Sequence, residues 1–441
     1  MSEDSDSDND SNPVEVEIKA PFPMDLDAWK QYMSQQDHKN YSLTNINPKS
    51  ASESTVEQFY TLKVLWMRLY SRNRLRRDLR IDEDSLSKAE AFLEDSSSWG
   101  GYKAACGNET LMSDGLFGLV QLYHRRCADG QADIPYRQHL KFPWERRPAG
   151  GEEGAGGPPS LPTESSSIST LSEVTVDATA ARWQVEDEEI VNVAFVLFLN
   201  ALVRATPEED VTGDWWPCRS SFCIPNSASK AHKAYKALVD GMFRVDGASP
   251  EQIMEQARFR EEFQRLRARA GLPAEATAKE RAAGSAKSQR NAAPRGGYKH
   301  KAAIPNTKTI TAIIEVKPMA RAHYHHSWRE QILVQEAAQM AAWIGVIPAL
   351  LGQKPDKNGK FRRLLFSQDQ REVFVTIATY TKEYIHYIMN SIDKPAYQEA
   401  LLGPECFLHM QPYGPFRVDN VEHMAMLAPL LVALSYQNFV I

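Results

Sequence analysis

Apolar positions along the chain separate a helical first part from an α/β second part. A broad apolar stripe over 54–72 predicts an amphipathic helix, and similar spacing predicts helices over 85–94 and 111–126. From residue 183 onward, short apolar runs alternate with helical periodicity. This alternation is typical of α/β domains, in which helices cover a central sheet.

The second part of the chain contains most of the predicted regular structure. The predicted strands lie at 235–245, 309–317, 361–366, 372–380 and 383–388. The predicted helices lie at 186–203, 327–351 and 420–436. Acidic residues in the first turn of the 186–203 helix suit the helix dipole. Asp419 and Glu422 resemble a capping box at the start of the last helix. The Tyr-Gly-Pro sequence at 413–415 predicts a turn before that helix.

Four compositional segments predict the domain organisation. Residues 1–16 carry several acids and no base, which predicts a solvated, disordered tail. Residues 17–146 form the mainly helical region. The Gly, Pro, Ser and Thr content of 147–180 predicts a flexible linker and a domain boundary. Residues 181–441 then form a second domain with a basic insertion at about 248–301.

Size, charge and cysteine content limit the functional classes. The chain has 441 residues, enough for one large domain or two. Its formal net charge of −6 gives no overall signal for nucleic-acid binding, although 251–301 holds twelve Lys and Arg against six acids. Five irregularly spaced cysteines indicate a reducing compartment. The acidic start and the short apolar runs predict a protein of the nucleus or cytoplasm with no membrane segment.

Candidate chemistry concentrates on two of the predicted strands. Asp240 lies in the first, and Glu315 and Lys317 end the second. Side chains alternate along a strand, so Glu315 and Lys317 share a face. Ile313 and Ile314 make this strand apolar on both faces, which predicts a central, buried position. Charges at the end of a buried strand are costly unless they are paired or bound to metal.

Two carboxylates and an amine at one sheet edge suit a hard divalent cation. Mg²⁺ prefers oxygen ligands, which the carboxylates of Asp240 and Glu315 and the carbonyl of Val316 supply. Such a cation activates water and offsets charge on a phosphate, while Lys317 holds the water or the oxyanion. The pattern therefore predicts phosphodiester hydrolysis with Mg²⁺ or Mn²⁺. A structural pair of surface charges is the alternative that the residues themselves leave open.

The motif Asp240…Glu315-Val316-Lys317 resembles the PD-(D/E)XK nuclease superfamily. Gln335 and Gln339, on the helix after the second strand, resemble the glutamine motif of the helicase-associated and phage-exonuclease branches. The two glutamines are four residues apart and so lie on one helical face.

Two further segments, 365–374 and 410–415, resemble the fungal proteins that carry a PD-(D/E)XK nuclease-like domain. The resemblance covers about 181–441 and leaves the first part of the chain unexplained. It implies a restriction-endonuclease-like fold, in which helices flank a four-stranded mixed sheet that carries the acid motif on its second and third strands.

The resemblance also implies roles for individual residues in a Mg²⁺- or Mn²⁺-dependent nuclease that acts on DNA. Asp240 and Glu315 would be metal ligands, and Lys317 the catalytic lysine. Gln335 or Gln339 would face the site. A glutamate of the first core helix would complete the ligand set, with Glu189 as the first choice and Glu186 as the second.

Two other functions remain open at this stage. A catalytically inactive relative would bind nucleic acid through 251–301 without cutting it. Alternatively, the fold would serve as a protein-interaction module, which the acidic net charge favours. The intact acid and lysine motif favours the nuclease. Oligomeric state, DNA or RNA preference and the mode of cutting are not determined by the sequence.

Overall fold

The computed structural model describes the following parts of the chain: 22–35, 50–106, 108, 111–128, 188–204, 206, 213–224, 235–246, 308–321, 326–347, 353–390 and 403–441. The predicted tail at 1–16, the predicted linker at 147–180 and the basic insertion at 248–301 lie outside these residues. Within the described part, no helix combines the length and apolar character needed to cross a membrane.

A mixed seven-stranded sheet forms the centre of the fold. Its strands are β1 (Val64–Trp66), β2 (Gly213–Trp216), β5 (Gly241–Asp246), β6 (Lys308–Lys317), β7 (Lys360–Asp369), β8 (Glu372–Thr381) and β9 (Leu408–Arg417). They lie in the order β1-β9-β8-β7-β6-β5-β2. The β1–β9 and β6–β7 pairs are parallel and the others antiparallel. A separate two-stranded ribbon contains β3 (Ser220–Ile224) and β4 (Tyr235–Val239).

Helices cover both faces of the sheet. They are α1 (Leu26–Gln35), α2 (Val56–Thr61), α3 (Arg72–Leu79), α4 (Glu83–Asp95), α5 (Ser97–Ala105), α6 (Gly115–Ala128), α7 (Glu188–Arg204), α8 (His326–Val346), α9 (Lys382–Asn390) and α10 (Val421–Tyr436). Helices α3 to α7 and α10 contribute to one apolar layer, and α1, α2, α8 and α9 to the other. The predicted α/β class, a mixed sheet flanked by helices, is confirmed at this level.

Strand β6 lies in the interior of the sheet, as its sequence predicts. Ile314 packs in one apolar layer and Ile313 in the other, and both are fully buried. β6 pairs antiparallel with β5 and parallel with β7, and α8 makes the crossover between the two parallel strands. The parallel register places Lys317 opposite Asp369, so both strands end at one edge of the sheet.

Two secondary-structure predictions were wrong because short apolar runs suit either structure. The predicted 54–72 helix ends at Thr61, since Lys63 adopts a left-handed backbone (φ 51°) and the chain continues as β1. The predicted strand at 383–388 is helix α9. Its buried Tyr384 and Ile388 are four residues apart, which is a helical spacing.

Three predicted boundaries also differ from the structure. The predicted strand at 235–245 breaks at Asp240 into β4 and β5, which belong to different sheets. The predicted turn at 413–415 lies inside β9. Asn420, and not Asp419, caps α10, because its side chain accepts the His423 N–H at 2.9 Å.

The first part of the chain shares its sheet and core with the second. Strand β1 pairs with β9, and Trp66 is buried in the same apolar layer as α8. Tyr413 of β9 donates its hydroxyl to the carboxylate of Asp78 at 2.8 Å, and the Lys88 ammonium lies 4.8 Å from the ring centre of Tyr436. The described residues between 50 and 128 therefore complete the sheet and contribute to both apolar layers.

Candidate metal centre

Asp240 occupies a short connection between the ribbon and the main sheet. Its N–H donates to the Ile314 carbonyl at 3.1 Å, and its own carbonyl accepts from Asn192 Nδ2 at 3.3 Å. Gly241 follows where space is limited, because a Cβ atom there would lie 3.0 Å from the Trp216 carbonyl oxygen. The Asp-Gly pair thus lets β5 start tightly against its neighbours while the Asp240 side chain turns toward the end of β6.

Three carboxylates and one ammonium meet at this edge of the sheet. Carboxylate oxygens of Glu188, Asp240 and Glu315 all lie within 4.8 Å of one another. Lys317 Nζ lies 2.5 Å from Glu315 Oε1 and 3.0 Å from Glu188 Oε1. The Val316 N–H donates to Asp240 Oδ2 at 3.1 Å. Three negative charges and one positive charge leave a formal charge of −2, which a divalent cation complements.

Burial makes this concentration of negative charge costly. The Glu315 side chain is 1 % exposed, and burial raises its pKa well above the usual range, with the Asp240 charge adding to the effect. Burial also raises the pKa of Asp240, although Lys317 opposes the shift. For Lys317, burial lowers the pKa, but the carboxylates around it outweigh burial and leave the pKa above its ordinary value. Lys317 is therefore protonated at neutral pH.

The donor set fits a hard divalent cation. All three groups are carboxylates, the ligands that Mg²⁺ and Mn²⁺ prefer. Two oxygens on opposite sides of one Mg²⁺ are about 4.2 Å apart, and one oxygen from each carboxylate lies within 4.8 Å of the other two. A cation at this position would favour the ionised form of both buried carboxyl groups and relieve their repulsion.

Two glutamines of α8 hold the Glu315 carboxylate by both of its oxygens. Gln335 Nε2 donates to Oε1 at 2.5 Å, and Gln339 Nε2 donates to Oε2. Gln339 Nε2 also lies 2.6 Å from the Leu238 carbonyl, at the end of β4. In the described part of the chain, the buried Gln339 Oε1 has no hydrogen-bond partner. The helix after β6 therefore orients Glu315 within the centre.

The glutamate of α7 that reaches the centre is Glu188. Glu189, the residue chosen from sequence, pairs instead with Arg219 at 2.8 Å, and Glu186 lies outside the described residues. Glu188 precedes the buried stripe of Asn192, Phe195 and Leu199, whereas Glu189 precedes the less buried stripe of Val193, Leu197, Asn200 and Arg204. Polar Asn200 and Arg204 mark the outer stripe, a sequence signal that favours Glu188.

Val316 also contributes differently from the sequence prediction. The prediction used its carbonyl oxygen as a metal ligand, whereas the observed contact is the N–H donated to Asp240. Its side chain points into the opposite apolar layer, so Glu315 and Lys317 share the other face as expected. This N–H favours the ionised form of Asp240 and limits its rotation.

A second buried charge cluster adjoins the centre, and the sequence did not predict it. Arg321 donates to the carboxylates of Glu336 (2.6 Å) and Asp369 and to the Ser367 hydroxyl (3.0 Å). Glu336 and Asp369 are fully buried. Glu336 follows Gln335 on α8, and Asp369 is the register partner of Lys317. Arg321, just beyond β6, therefore links the end of that strand to α8 and to β7.

The structure brings together Asp240, Glu315, Lys317, Gln335 and Gln339 and adds Glu188. The predicted nucleic-acid contact at 251–301 lies outside the described residues. The chain was also compared with protein-family models, with curated proteins and with solved structures, and none of the three comparisons found a match.

Proposed function

We propose that this protein is a divalent-cation-dependent phosphodiesterase that cleaves nucleic acid, with DNA as the first substrate. The convergence of Glu188, Asp240 and Glu315 around the Lys317 ammonium carries the proposal. In chain order α7 is followed by β2 to β6, α8 and β7, an order that supports assignment to the restriction-endonuclease-like fold, as does the position of the acids at the edge of paired strands. This assignment agrees with the PD-(D/E)XK resemblance of the sequence.

The three carboxylates would hold the cation, and Mg²⁺ or Mn²⁺ suits them. When bound, the cation supplies positive charge to the phosphate oxygens and lowers the pKa of water. Lys317 acts as a proton-bearing donor, because its raised pKa keeps the ammonium charged. Its Nζ hydrogen-bonds the attacking water or the oxyanion that develops on phosphorus. Gln335 and Gln339 keep Glu315 in one orientation throughout.

The basic 251–301 segment, the predicted nucleic-acid partner site, joins the elements on either side of this centre in sequence. In sequence, β5 precedes this segment and β6 follows it, and its excess of Lys and Arg suits a polyanionic substrate. A location in the nucleus or the cytoplasm, as predicted from the sequence, is consistent with such a substrate.

A cleavage assay on the purified full chain tests the proposal. Labelled single- and double-stranded DNA, and RNA of the same sequence, are incubated with Mg²⁺, Mn²⁺ or EDTA. We expect cleavage with either cation and none with EDTA. Glu315→Gln and Lys317→Met should each lower the rate by at least about 100-fold, because the first weakens the hold on the cation and the second removes an ammonium that stabilises transition-state charge.

Lys360→Met is the matched control for Lys317→Met. Lys360 is exposed at the start of β7, about 30 Å from its end beside the centre, so cleavage should be unchanged. Salt-sensitive binding without cleavage by the wild type would overturn the proposal in favour of an inactive nucleic-acid-binding protein. Absence of both would favour the protein-interaction module.

A further inference from the structure

Arg219 lies at the entrance to the acid cluster. It belongs to the connection between β2 and β3, and its side chain is 51 % exposed. Its Nε lies 4.0 Å from Asp240 Oδ1, and its Nη2 lies 2.8 Å from Glu189 Oε1. In the described part of the chain, the cations within 4.0 Å of the three clustered carboxylates are Lys317 and Arg219.

Lys317 and Arg219 differ in their exposure to solvent. Lys317 is 10 % exposed and already contacts two carboxylates, so it faces inward. Arg219 presents half of its surface to solvent at the edge of a cluster whose formal charge is −2. A phosphate approaching that cluster meets repulsion unless a cation lies on its path. A guanidinium suits this position, because its planar fork of donors matches two phosphate oxygens and stays charged.

Glu189 pairs with this guanidinium from the first turn of α7. Glu188 and Glu189 are neighbours in the first turn of α7, and successive helical residues point about 100° apart. One glutamate therefore turns toward Lys317 and the other toward Arg219. Glu189 accepts from Arg219 Nη2, and among the described residues Arg219 Nη1 donates no hydrogen bond.

We infer that Arg219 is a phosphate-binding residue, which contacts non-bridging oxygens of a nucleic-acid phosphate at the mouth of the acid cluster, and that Glu189 positions it. The inference rests on the proposed function, because it concerns the substrate of the same centre. It gives Glu189 a role other than that of a metal ligand.

The first arm of the test measures binding and cleavage of one fluorescein-labelled single-stranded DNA by the full chain. Anisotropy is measured in Ca²⁺ and cleavage in Mg²⁺. Arg219→Gln should weaken binding by about 10- to 100-fold, the effect of losing a charge-assisted hydrogen bond. The slope of log affinity against log salt concentration should decrease in magnitude by about the contribution of one phosphate contact. Arg219→Lys should recover part of the affinity, since it keeps the charge and loses the fork.

The matched control is Arg204→Gln. Arg204 is 62 % exposed and pairs with Asp214 at 3.8 Å, as Arg219 pairs with Glu189. It ends α7, about 24 Å from Glu188 along the helix. We expect unchanged affinity and salt slope. An equal loss in Arg204→Gln and Arg219→Gln would show a general charge effect and overturn the inference.

The second arm separates the two roles of Glu189 by Mn²⁺ titration without DNA, followed by electron paramagnetic resonance. Glu189→Gln should leave Mn²⁺ affinity unchanged and weaken DNA binding a few-fold, whereas Glu188→Gln should weaken Mn²⁺ binding at least tenfold. A tenfold loss of Mn²⁺ affinity in Glu189→Gln would overturn the positioning role.

The outcomes distinguish this inference from the proposed function. Cleavage by the wild type with undiminished DNA binding in Arg219→Gln overturns the phosphate contact alone. DNA binding that requires Arg219, without any metal-dependent cleavage, supports the phosphate contact and overturns the nuclease. Absence of both binding and cleavage in the wild type overturns both.

Discussion

Glu315 is the residue on which the candidate centre depends most. Its side chain is almost wholly buried, and the Lys317 ammonium and the amides of Gln335 and Gln339 all donate to its carboxylate. These donors favour the ionised carboxylate, but burial and the Asp240 charge outweigh them and leave its pKa raised. Even with every contact made, the site is therefore short of positive charge.

The pH dependence of stability follows from this shortage. Burial raises the pKa of Glu315 and of Asp240, so the folded, metal-free protein retains a proton that the unfolded chain loses near pH 4. The unfolded state then binds fewer protons, and stability falls as pH rises, by up to about 1.4 kcal/mol per pH unit for one proton. Thermal melts without metal should show a midpoint that falls as the pH rises above about 4.

Two controls isolate the acid cluster in these melts. Glu315→Gln should flatten the pH profile, because the amide does not titrate. Saturating Mg²⁺ should also flatten the wild-type profile, because a bound cation favours the ionised carboxylates. Parallel profiles for wild type and Glu315→Gln, with no effect of Mg²⁺, would contradict the assignment of the raised pKa to this centre.

Gln339 is predicted to matter more for stability than its neighbour one turn earlier. It is fully buried and joins the Leu238 carbonyl to Glu315, whereas Gln335 is partly exposed. Gln339→Ala should lower the free energy of unfolding in urea by about 1–3 kcal/mol, since it leaves buried acceptors unpaired. Gln335→Ala should cost less, because water can replace the lost donor. Equal losses would show that the bridge to Leu238 contributes nothing.

At the scale of elements, the centre depends on how β6, β7 and α8 are joined. Both strands end at the same edge, and α8 returns over the sheet between them. Arg321, just beyond β6, contacts Glu336 of α8 and Asp369 of β7. The aromatic ring of Phe374 covers the guanidinium at 4.1 Å. This ion cluster holds α8 in the position from which its glutamines reach Glu315.

Removing Arg321 should destabilise this group of elements strongly. Arg321→Met leaves two fully buried carboxylates without their cation, which costs about 3–5 kcal/mol in comparable buried ion pairs. Urea unfolding measures the loss. Combining Arg321→Met with Glu336→Gln and Asp369→Asn should recover most of it, because no uncompensated charge remains. Failure of this combination to recover stability would show that packing, rather than charge, sets the cost.

At the scale of the whole molecule, the seven-stranded sheet joins the two parts of the chain. β1 from the first part forms the sheet edge beside β9, and α3 to α6 fill one apolar layer with α7 and α10. The sequence suggests a boundary at 147–180. Contacts between the described residues on either side of that segment are instead extensive and apolar.

A truncation tests how far the two parts depend on each other. A chain of residues 181–441 loses β1 and α1 to α6 and exposes apolar surface from both layers. We expect aggregation, or loss of a cooperative unfolding transition in urea. Deletion of residues 1–16, which the sequence predicts to be a solvated tail, should leave the transition unchanged. If the chain of residues 181–441 unfolded cooperatively at the same urea concentration as the full chain, the second part would not depend on the first.

The sequence by itself determined the features that depend on local periodicity. These are the buried β6, the shared face of Glu315 and Lys317, the helix that carries Gln335 and Gln339, and the α/β class. Side-chain alternation and helical spacing follow from backbone geometry, so neighbouring residues are enough to establish them.

Only the tertiary structure decided the features that depend on distant partners. It selected Glu188 over Glu189, paired Arg321 with Glu336 and Asp369, and made β1 an edge strand of the sheet. Such choices follow from packing and charge compensation between segments far apart in sequence. A short apolar run such as Val64–Trp66 becomes strand or helix according to the surface available to it.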